Sequence, residues 1–218
     1  MTLWLKYVLI AVVGYLLGNI SVGILVAKLY GIKDIRKVGS GNAGSTNVLR
    51  NLGWLPSVLT LVGDCLKSFI AAQLGWYLAG DVGLLIGGTA AILGHDFPVF
   101  FKFKGGKGIA ASLGMILTIN PWLGISLTGV VVLIAALTGY VSLGSITVSF
   151  LYPICIAILL RGNAHYTAYI IFSVLQALLS LFCHRKNIQR LLHHEENKLD
   201  FKKISRLSKK NDIRSVIP

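Results

Sequence analysis

The sequence predicts an all-α polytopic membrane protein with about seven transmembrane helices. Of its 218 residues, 55% are hydrophobic and only 13% are charged, whereas soluble domains contain about 25% charged residues. Apolar runs recur along the chain, and a run of about 18 residues or more is typical of a helix that crosses a bilayer. The three cysteines are scattered, so neither a disulfide framework nor a metal site is expected.

The apolar segments follow one another in seven steps, at residues 3–27, 54–79, 82–93, 109–119, 122–137, 146–160 and 166–183. The first segment is too long for the apolar region of a cleavable signal peptide and lacks an early charged region. The third and fourth are near the lower length limit for a span. They are either thin crossings or re-entrant helices, and in the second case five crossings remain.

The positive charges predict the orientation. All but three of the 21 lysines and arginines lie in residues 28–53, 94–108 and 184–218. Because positively charged loops stay in the cytoplasm, seven or five crossings both place the N-terminus outside and the C-terminus in the cytoplasm. This distribution accounts for the net charge of +13 without nucleic acid as a partner. We expect one membrane-embedded domain at residues 1–198 and a basic cytoplasmic tail at 199–218.

Two ionisable residues lie inside the second segment. Asp64 and Lys67 are three positions apart and therefore share a helix face. Intramembrane charges are usually paired or functional. A structural ion pair and a role in a site both remain open for these two residues.

Residues 94–108 connect two apolar segments and form the first candidate site. Three lysines and three glycines fall within seven residues, at 102–108. Glycines let backbone N–H groups converge on an anion, and lysines add positive charge, which predicts a phosphate site at the membrane surface. The alternative is a positive loop that only sets topology. Residues 105–108 lack the further Gly and Ser/Thr of a P-loop, so nucleotide hydrolysis is not expected. His95, near the start of this stretch, is either a structural histidine or a general base.

The second candidate site is the loop at residues 34–53, which is dense in Gly, Ser, Thr and Asn and ends near Arg50. Its glycines have the spacing of a dinucleotide-binding fingerprint, but a membrane helix precedes them where that fingerprint requires a strand. Backbone N–H groups and hydroxyls can bind phosphate oxygens, and Arg50 can make two parallel bonds to one phosphate. The alternative is a turn followed by a helix cap at Ser45, Thr46 or Asn47.

The third candidate site is at residues 184–191. His184 and Asn187 share a helix face, with Arg185 and Arg190 beside them. A membrane-surface helix that binds lipid headgroups is the alternative. All three candidate sites are predicted on one side of the membrane. Together they indicate one polar site for a substrate with a phosphate head and a fatty tail.

These stretches resemble the bacterial membrane glycerol-3-phosphate acyltransferases that use acyl phosphate as donor. The resemblance covers about residues 1–198, with His194 where the family usually has Gly. None of the histidines is followed five positions later by Asp, which argues against the acyl-CoA class with its His-four-Asp motif. The matching stretches are Asp34-Ile35-Arg36-Lys37 with the glycine loop through Arg50, then Gly94 to Gly108, then Ser142-Leu143-x-Ser145, then His184 to Leu191 with Glu196.

The resemblance implies acyl transfer from acyl phosphate to sn-glycerol 3-phosphate, which yields lysophosphatidate and starts phospholipid synthesis. The expected catalytic residues are Ser40, Arg50, Lys107, His184 and Asn187. The expected phosphate-binding residues are Gly41, Asn42, Gly44, Thr46, Asn47, Lys104, Gly105, Gly106, Gly108, Ser142 and Ser145. The expected supporting residues are Glu196, Asp64, Lys67 and His95.

No metal or cofactor is expected. The expected partners are the two substrates, membrane lipid and the enzyme that makes acyl phosphate, and we expect a monomer in the bacterial inner membrane with its active site at the cytosolic face. A transporter for anionic phosphorylated metabolites is the alternative function, and a lipid-binding scaffold is a third.

Overall fold

The computed structural model describes residues 1–210, and every regular element in that range is helical, which confirms the all-α prediction. The α-helices are α1 (Leu3–Gly18), α2 (Val22–Leu29), α3 (Ser45–Leu52), α4 (Trp54–Asp96), α5 (Ile109–Ile119), α6 (Pro121–Thr138), α7 (Val141–Leu159), α8 (Tyr166–Leu192) and α9 (Phe201–Lys210). Two glycine-rich loops each contain a short 3₁₀ turn: the first loop, between α2 and α3, at Ile35–Lys37, and the second loop, between α4 and α5, at Val99–Phe101.

Five helical stretches are long and apolar enough to cross a membrane: Leu3–Leu29, Trp54–Phe101, Pro121–Thr138, Val141–Leu159 and Tyr166–Leu192. The second of them contains two of the predicted segments. Its backbone leaves the helical conformation at Ala79 and Gly80, where Gly80 has φ 62°. Helix α5 has 11 residues, which is shorter than a usual span. The number of crossings and the orientation of the chain stay predictions.

The first predicted helix, at residues 3–27, is interrupted. Helix α1 ends at Gly18 and α2 begins at Val22. In the break, the Asn19 side chain donates to the Tyr15 carbonyl oxygen at 2.6 Å, and the Ile20 carbonyl oxygen accepts a hydrogen bond from Lys67 Nζ at 2.7 Å. A buried ammonium group needs acceptors, and the interrupted helix supplies one.

Two predicted helix ends are also corrected. Helix α7 begins at Val141, five residues before the apolar segment predicted at 146–160, because its serines find acceptors both in another segment, as Ser142 does at Glu196, and within the helix. Ser145 Oγ, for example, donates to the Val141 carbonyl oxygen at 3.0 Å. Helix α8 continues without a break to Leu192, so it carries the third candidate site beyond the apolar segment.

Glycines allow α1 and the two halves of α4 to pack closely. A Cβ atom at Gly87 would lie 2.3 Å from the Ala71 carbonyl oxygen, and one at Gly18 would lie 2.1 Å from the Ala91 carbonyl oxygen. The two halves of α4 therefore pack antiparallel, with α1 against the second half. Helices that meet in lipid commonly do so through small residues.

Part of the basic tail predicted at 199–218 is helical. Residues Phe201–Lys210 form α9, whose Ile204 is 1% exposed. The helix packs on α3 and on the start of α4. The remainder of the predicted tail, 211–218, lies outside the described residues.

We expect Gly87→Ala to destabilise the protein by about 1–3 kcal/mol, because the added methyl group has no room against Ala71. The measurement is thermal unfolding in detergent. The matched control is Gly129→Ala, since a Cβ at the exposed Gly129 meets nothing within 4 Å. Gly129→Ala should be neutral or slightly stabilising. Equal melting temperatures for both variants would contradict the close approach.

Candidate active site

A cavity of about 410 Å³ collects residues from all three candidate sites. At one end its walls are polar, and the predicted site residues in the lining of the cavity are Ser40, Asn42, Gly44, Thr46, Asn47, Arg50, Asp64, His95, Lys107, Gly108, Ser142, Ser145, His184, Asn187 and Glu196. Apolar side chains of α5, α6 and α7 line the remainder, among them Ile116, Val131 and Val148. A molecule with an anionic head and an apolar tail matches such a lining.

Glu196 is the centre of the hydrogen-bond network at the polar end. Its Oε1 accepts from Asn187 Nδ2 at 2.7 Å and from Ser142 Oγ at 3.1 Å. Its Oε2 accepts from Arg190 Nε at 2.7 Å. Asn187 Oδ1 in turn accepts from Lys107 Nζ. Through these bonds Glu196 joins α7, α8 and the second loop, and its supporting role stays a prediction.

The ionisable groups around Glu196 have shifted pKa values. Burial lowers the pKa of Lys107 to about 8, and the positive charge of Arg190 acts in the same direction. Burial also lowers the pKa of Arg50. For Glu196, burial acts to raise the pKa, but the hydrogen bonds from Arg190 and Asn187 outweigh it and lower the pKa below its ordinary value. The site therefore holds an anionic carboxylate among cations.

Arg50 lies on α3 and reaches the C-terminal segment. Its Nη2 donates to the Asn197 carbonyl oxygen at 2.8 Å. Its buried Nε has no hydrogen-bond partner among residues 1–210. A buried donor without an acceptor is energetically costly. Because Arg50 lines the cavity, an anionic ligand there could supply the missing acceptor.

Asn47 organises the first loop. Its Nδ2 contacts the carbonyl oxygens of Ile35, Val38 and Asn42 at 2.9–3.0 Å. Its Oδ1 accepts from the Ser40 N–H at 2.9 Å. Both ends of the amide are therefore engaged with the loop, so Asn47 positions Ser40 and does not have the free amide that its predicted phosphate-binding role requires.

Arg36 ties the first loop to the second. Its Nη1 donates to the carbonyl oxygens of Phe101 and Lys104 at 3.1 and 3.0 Å, while Nε and Nη2 bind the Asp34 carboxylate. The guanidinium also lies 5.4 Å from the centre of the Phe101 ring. Sequence reasoning placed Arg36 in the matching stretch but did not select it, because its acceptors are backbone groups of a distant loop.

A buried cluster supports the second loop from behind. Lys67 Nζ lies 2.8 Å from both Asp64 Oδ1 and His95 Nδ1. A Cβ atom at Gly106 would lie 1.8 Å from His95 Nε2, so the loop backbone packs directly on the imidazole ring. The ion pair, one of the two roles predicted for Asp64 and Lys67, is present, and His95 completes the cluster.

His184 is 3% exposed and lies on α8 beside Asn187. Its Nδ1 is 2.8 Å from the Ser180 carbonyl oxygen. A carbonyl only accepts, so Nδ1 carries the proton and the neutral ring has its lone pair on Nε2. In this tautomer Nε2 is the nitrogen that can accept a proton.

Several predicted phosphate-binding residues either lie outside the cavity or use their polar groups in hydrogen bonds within the protein. Lys104 and Gly41 are exposed and do not line the cavity. The N–H groups of Gly105 and Gly106 donate to the carbonyl oxygens of Asp96 and His95. Ser142 and Ser145 line the cavity, but their hydroxyls donate to Glu196 and Val141.

Other polar groups at the cavity were not selected from the sequence. Arg190, which holds Glu196, was noted only as a basic neighbour. Gln176 Nε2 donates to Ser112 Oγ at 2.7 Å, deep among apolar residues. Gln176 lies eight residues before His184 on the same helix, and this spacing is the sequence signal that could have identified it.

The model of the family described as "Glycerol-3-phosphate acyltransferase" matches residues 8–194. A relative with that name from Thermoanaerobacter pseudethanolicus is 45% identical over 88% of this chain and 95% of its own length. One from Clostridioides difficile is 42% identical over 91% and 98%. The crystal structure of PlsY (YgiH), an integral membrane glycerol 3-phosphate acyltransferase, in its glycerol 3-phosphate form, superposes with TM-score 0.82. It is 36% identical, and the match covers 91% of this chain and 98% of that one.

We expect Glu196→Ala to destabilise the protein by about 1–3 kcal/mol, because it leaves the buried Asn187 amide and the Arg190 guanidinium without their acceptor. Thermal unfolding in detergent is the measurement. The neighbouring Glu195→Ala is the control, since that side chain is exposed, and a change within about 0.5 kcal/mol is expected there. A Glu196 variant as stable as the Glu195 variant would remove Glu196 from its central position.

Proposed function

The chain belongs to the glycerol-3-phosphate acyltransferase family, and from this premise we propose that it transfers a fatty acyl group from acyl phosphate to sn-glycerol 3-phosphate. The products are 1-acyl-sn-glycerol 3-phosphate (lysophosphatidate) and inorganic phosphate, and the reaction is the first step of phospholipid synthesis. One observation carries the proposal: Arg50, Lys107 and His184, from three separate stretches, line one cavity whose other walls are apolar.

The polar end suits two phosphate groups. Arg50 and Lys107 supply positive charge, and the first turn of α3, at Ser45 and Thr46, presents backbone N–H groups that a helix leaves unpaired. Ser40 adds a hydroxyl group, and its backbone is held by Asn47. Fixed charges and dipoles of this kind hold two anionic reactants together and neutralise the charge that builds up in the transition state.

The reaction proceeds by direct attack, without an acyl-enzyme. The glycerol 3-phosphate hydroxyl oxygen bonds to the acyl carbonyl carbon while His184 Nε2 accepts the hydroxyl proton. The bond between that carbon and the phosphate oxygen then breaks, and phosphate leaves with the bonding electron pair. Lys107 and Arg50 stabilise the developing negative charge. The Ser180 carbonyl oxygen, bonded to Nδ1, stabilises the imidazolium that forms.

The apolar walls take the fatty chain. Residues of α5 to α7 lead away from the charged end, and several neighbours on α6, including Val132 and Leu137, are exposed on the protein surface. A chain can therefore reach the cavity from the lipid. The positive charge of the loops supports a location of this site at the cytosolic face of the bacterial inner membrane. The further partner would be the enzyme that makes acyl phosphate, and the acyltransferase would act as a monomer.

The experiment is to incubate the purified protein with labelled glycerol 3-phosphate and either acyl phosphate or acyl-CoA. We expect labelled lysophosphatidate with acyl phosphate only. In this assay, Arg50→Ala and Lys107→Ala should each lose at least about 100-fold in activity, since each removes one preorganised charge contact. The control is Lys33→Ala, which removes an exposed charge of the first loop and should keep near-normal activity.

Lipid formed only from acyl-CoA would overturn the proposed donor. Near-normal turnover in the Arg50 or Lys107 variant would remove that residue from the mechanism. If the protein makes no lipid from either donor but carries labelled glycerol 3-phosphate into sealed vesicles, the alternative of a transporter replaces the enzyme.

The rate should also depend on the charge of Lys107. Because burial lowers the pKa of this lysine to about 8, the free protein loses the ammonium charge as the pH rises above that value. We expect kcat/KM for glycerol 3-phosphate to fall about tenfold per pH unit beyond the pKa. Lys107→Arg should delay this fall, since arginine stays charged. A flat wild-type profile between about pH 7 and pH 9.5 would contradict the role of the ammonium group.

A further inference from the structure

Helix α9 lies beyond residue 194, where the match to the family model ends. It contains five basic residues and no acidic residue: Lys202, Lys203, Arg206, Lys209 and Lys210. Nothing in the proposed reaction uses this helix directly, yet it packs against an element of the site.

One face of α9 is docked on the junction between α3 and α4. Ile204 is 1% exposed. Ser208 Oγ accepts a hydrogen bond from the Trp54 N–H at 3.0 Å and donates to the Ile204 carbonyl oxygen at 2.8 Å. A Cβ atom at Gly53 would lie 2.6 Å from Ser208 Oγ. Gly53, with φ 92°, is the residue that links α3 to α4, so the contact requires a glycine there.

The opposite face of α9 is basic. At 3.6 residues per turn, Lys202, Arg206 and Lys209 fall within an arc of about 60° centred opposite Ile204, and Lys203 lies beside them. All four side chains are exposed. The helix therefore presents an apolar face to the protein and a concentrated positive face away from it.

The surroundings of α9 place it at the level of the lipid headgroups. Its partner Trp54 is the first residue of a stretch long enough to cross the membrane. Trp54 and Phe201 are 49% and 50% exposed, and exposed aromatic side chains at the end of such a stretch are typical of the membrane–water interface. Anionic headgroups at this level attract nearby Lys and Arg side chains.

We propose that α9 is an anionic-lipid contact: Lys202, Lys203, Arg206 and Lys209 bind the negatively charged headgroups of the bilayer, and this binding holds Ile204 and Ser208 against the α3–α4 junction. Charge complementarity selects the partner, since the outer face has four cations and the helix has no acidic residue to neutralise them. A soluble acidic protein is the competing partner and is distinguished in the test below.

The contact has a consequence for the cavity, which rests on the proposed function. Helix α3 carries Thr46 and Arg50, and both Leu199 and Phe201 line the cavity. Docking of α9 therefore closes one wall of the site and holds the helix that carries a catalytic arginine. The charge of the surrounding bilayer would then stabilise the arrangement that binds glycerol 3-phosphate.

The test is hydrogen–deuterium exchange of the intact chain in nanodiscs of phosphatidylcholine, with or without about 30% phosphatidylglycerol as the anionic lipid. No substrate is added, so the result is independent of whether acyl transfer occurs. We expect amides in 203–210 to exchange at least about tenfold more slowly with the anionic lipid, because several cations contribute. Amides in 45–53 should follow in the same direction. High salt should remove the difference, since it screens surface charges.

Two variants give the matched comparison. Substitution of Lys202, Lys203, Arg206 and Lys209 by Gln should abolish the lipid dependence in 203–210. Substitution of the exposed Lys28, Lys33, Lys37 and Lys102 by Gln removes the same number of charges elsewhere and should preserve it. In the Ile204→Ala variant, amides in 203–210 should exchange rapidly in both bilayers, because the substitution removes the docked side chain.

Equal exchange of 203–210 in neutral and anionic nanodiscs would overturn the proposal. An equal loss of lipid dependence in both four-residue variants would also overturn it, since the effect would then belong to the overall charge. Protection by polyglutamate in neutral nanodiscs, without protection by anionic lipid, would assign the face to an acidic protein instead.

Discussion

The polar end of the cavity depends on one carboxylate. Arg50, Lys107 and Arg190 bring three positive groups together beside apolar walls, where unpaired charges are costly. Glu196, with its side chain 1% exposed, is the anion among them and accepts from Arg190 at 2.7 Å. Because Glu196 also holds Asn187 and Ser142, it fixes the groups that face the ligand. Two cations therefore remain without a carboxylate partner, and burial, together with the positive charge of Arg190, lowers the pKa of Lys107.

The loops of the site are held in place by hydrogen bonds to backbone carbonyl groups. Asn47 closes the first loop on itself, and Arg36 ties it to the second loop. Behind the second loop, the imidazole of His95 packs on Gly106. Glycine is needed there because no side chain can be accommodated. A site that is held before its ligand arrives has little reorganisation left to undergo during the reaction.

The membrane-spanning helices must both pack closely and accommodate buried charge. Where helices only pack, glycines bring backbones into contact, as Gly87 does with Ala71. Where charge enters the bundle, the backbone is interrupted, as at Ile20, whose carbonyl oxygen binds Lys67. Helix α9 adds a third element, since its contact at Gly53 links a helix with a basic outer face to the helix that carries Arg50.

The sequence by itself determined the all-helical architecture and the positions of most helices, because hydrophobicity and length are local properties. Residue type and spacing also placed Arg50, Lys107 and His184 in candidate sites, the resemblance added Glu196, and all four line one cavity. Only the tertiary structure decided which polar groups remain free. Asn47, Gly105 and Ser142 have the residue types of a phosphate site, but distant backbone or side-chain partners engage them. The importance of Arg36 and the docking of α9 were likewise decided by contacts between residues far apart in the chain. Hydrogen-bond partners of this kind depend on three-dimensional proximity, which local sequence patterns do not encode.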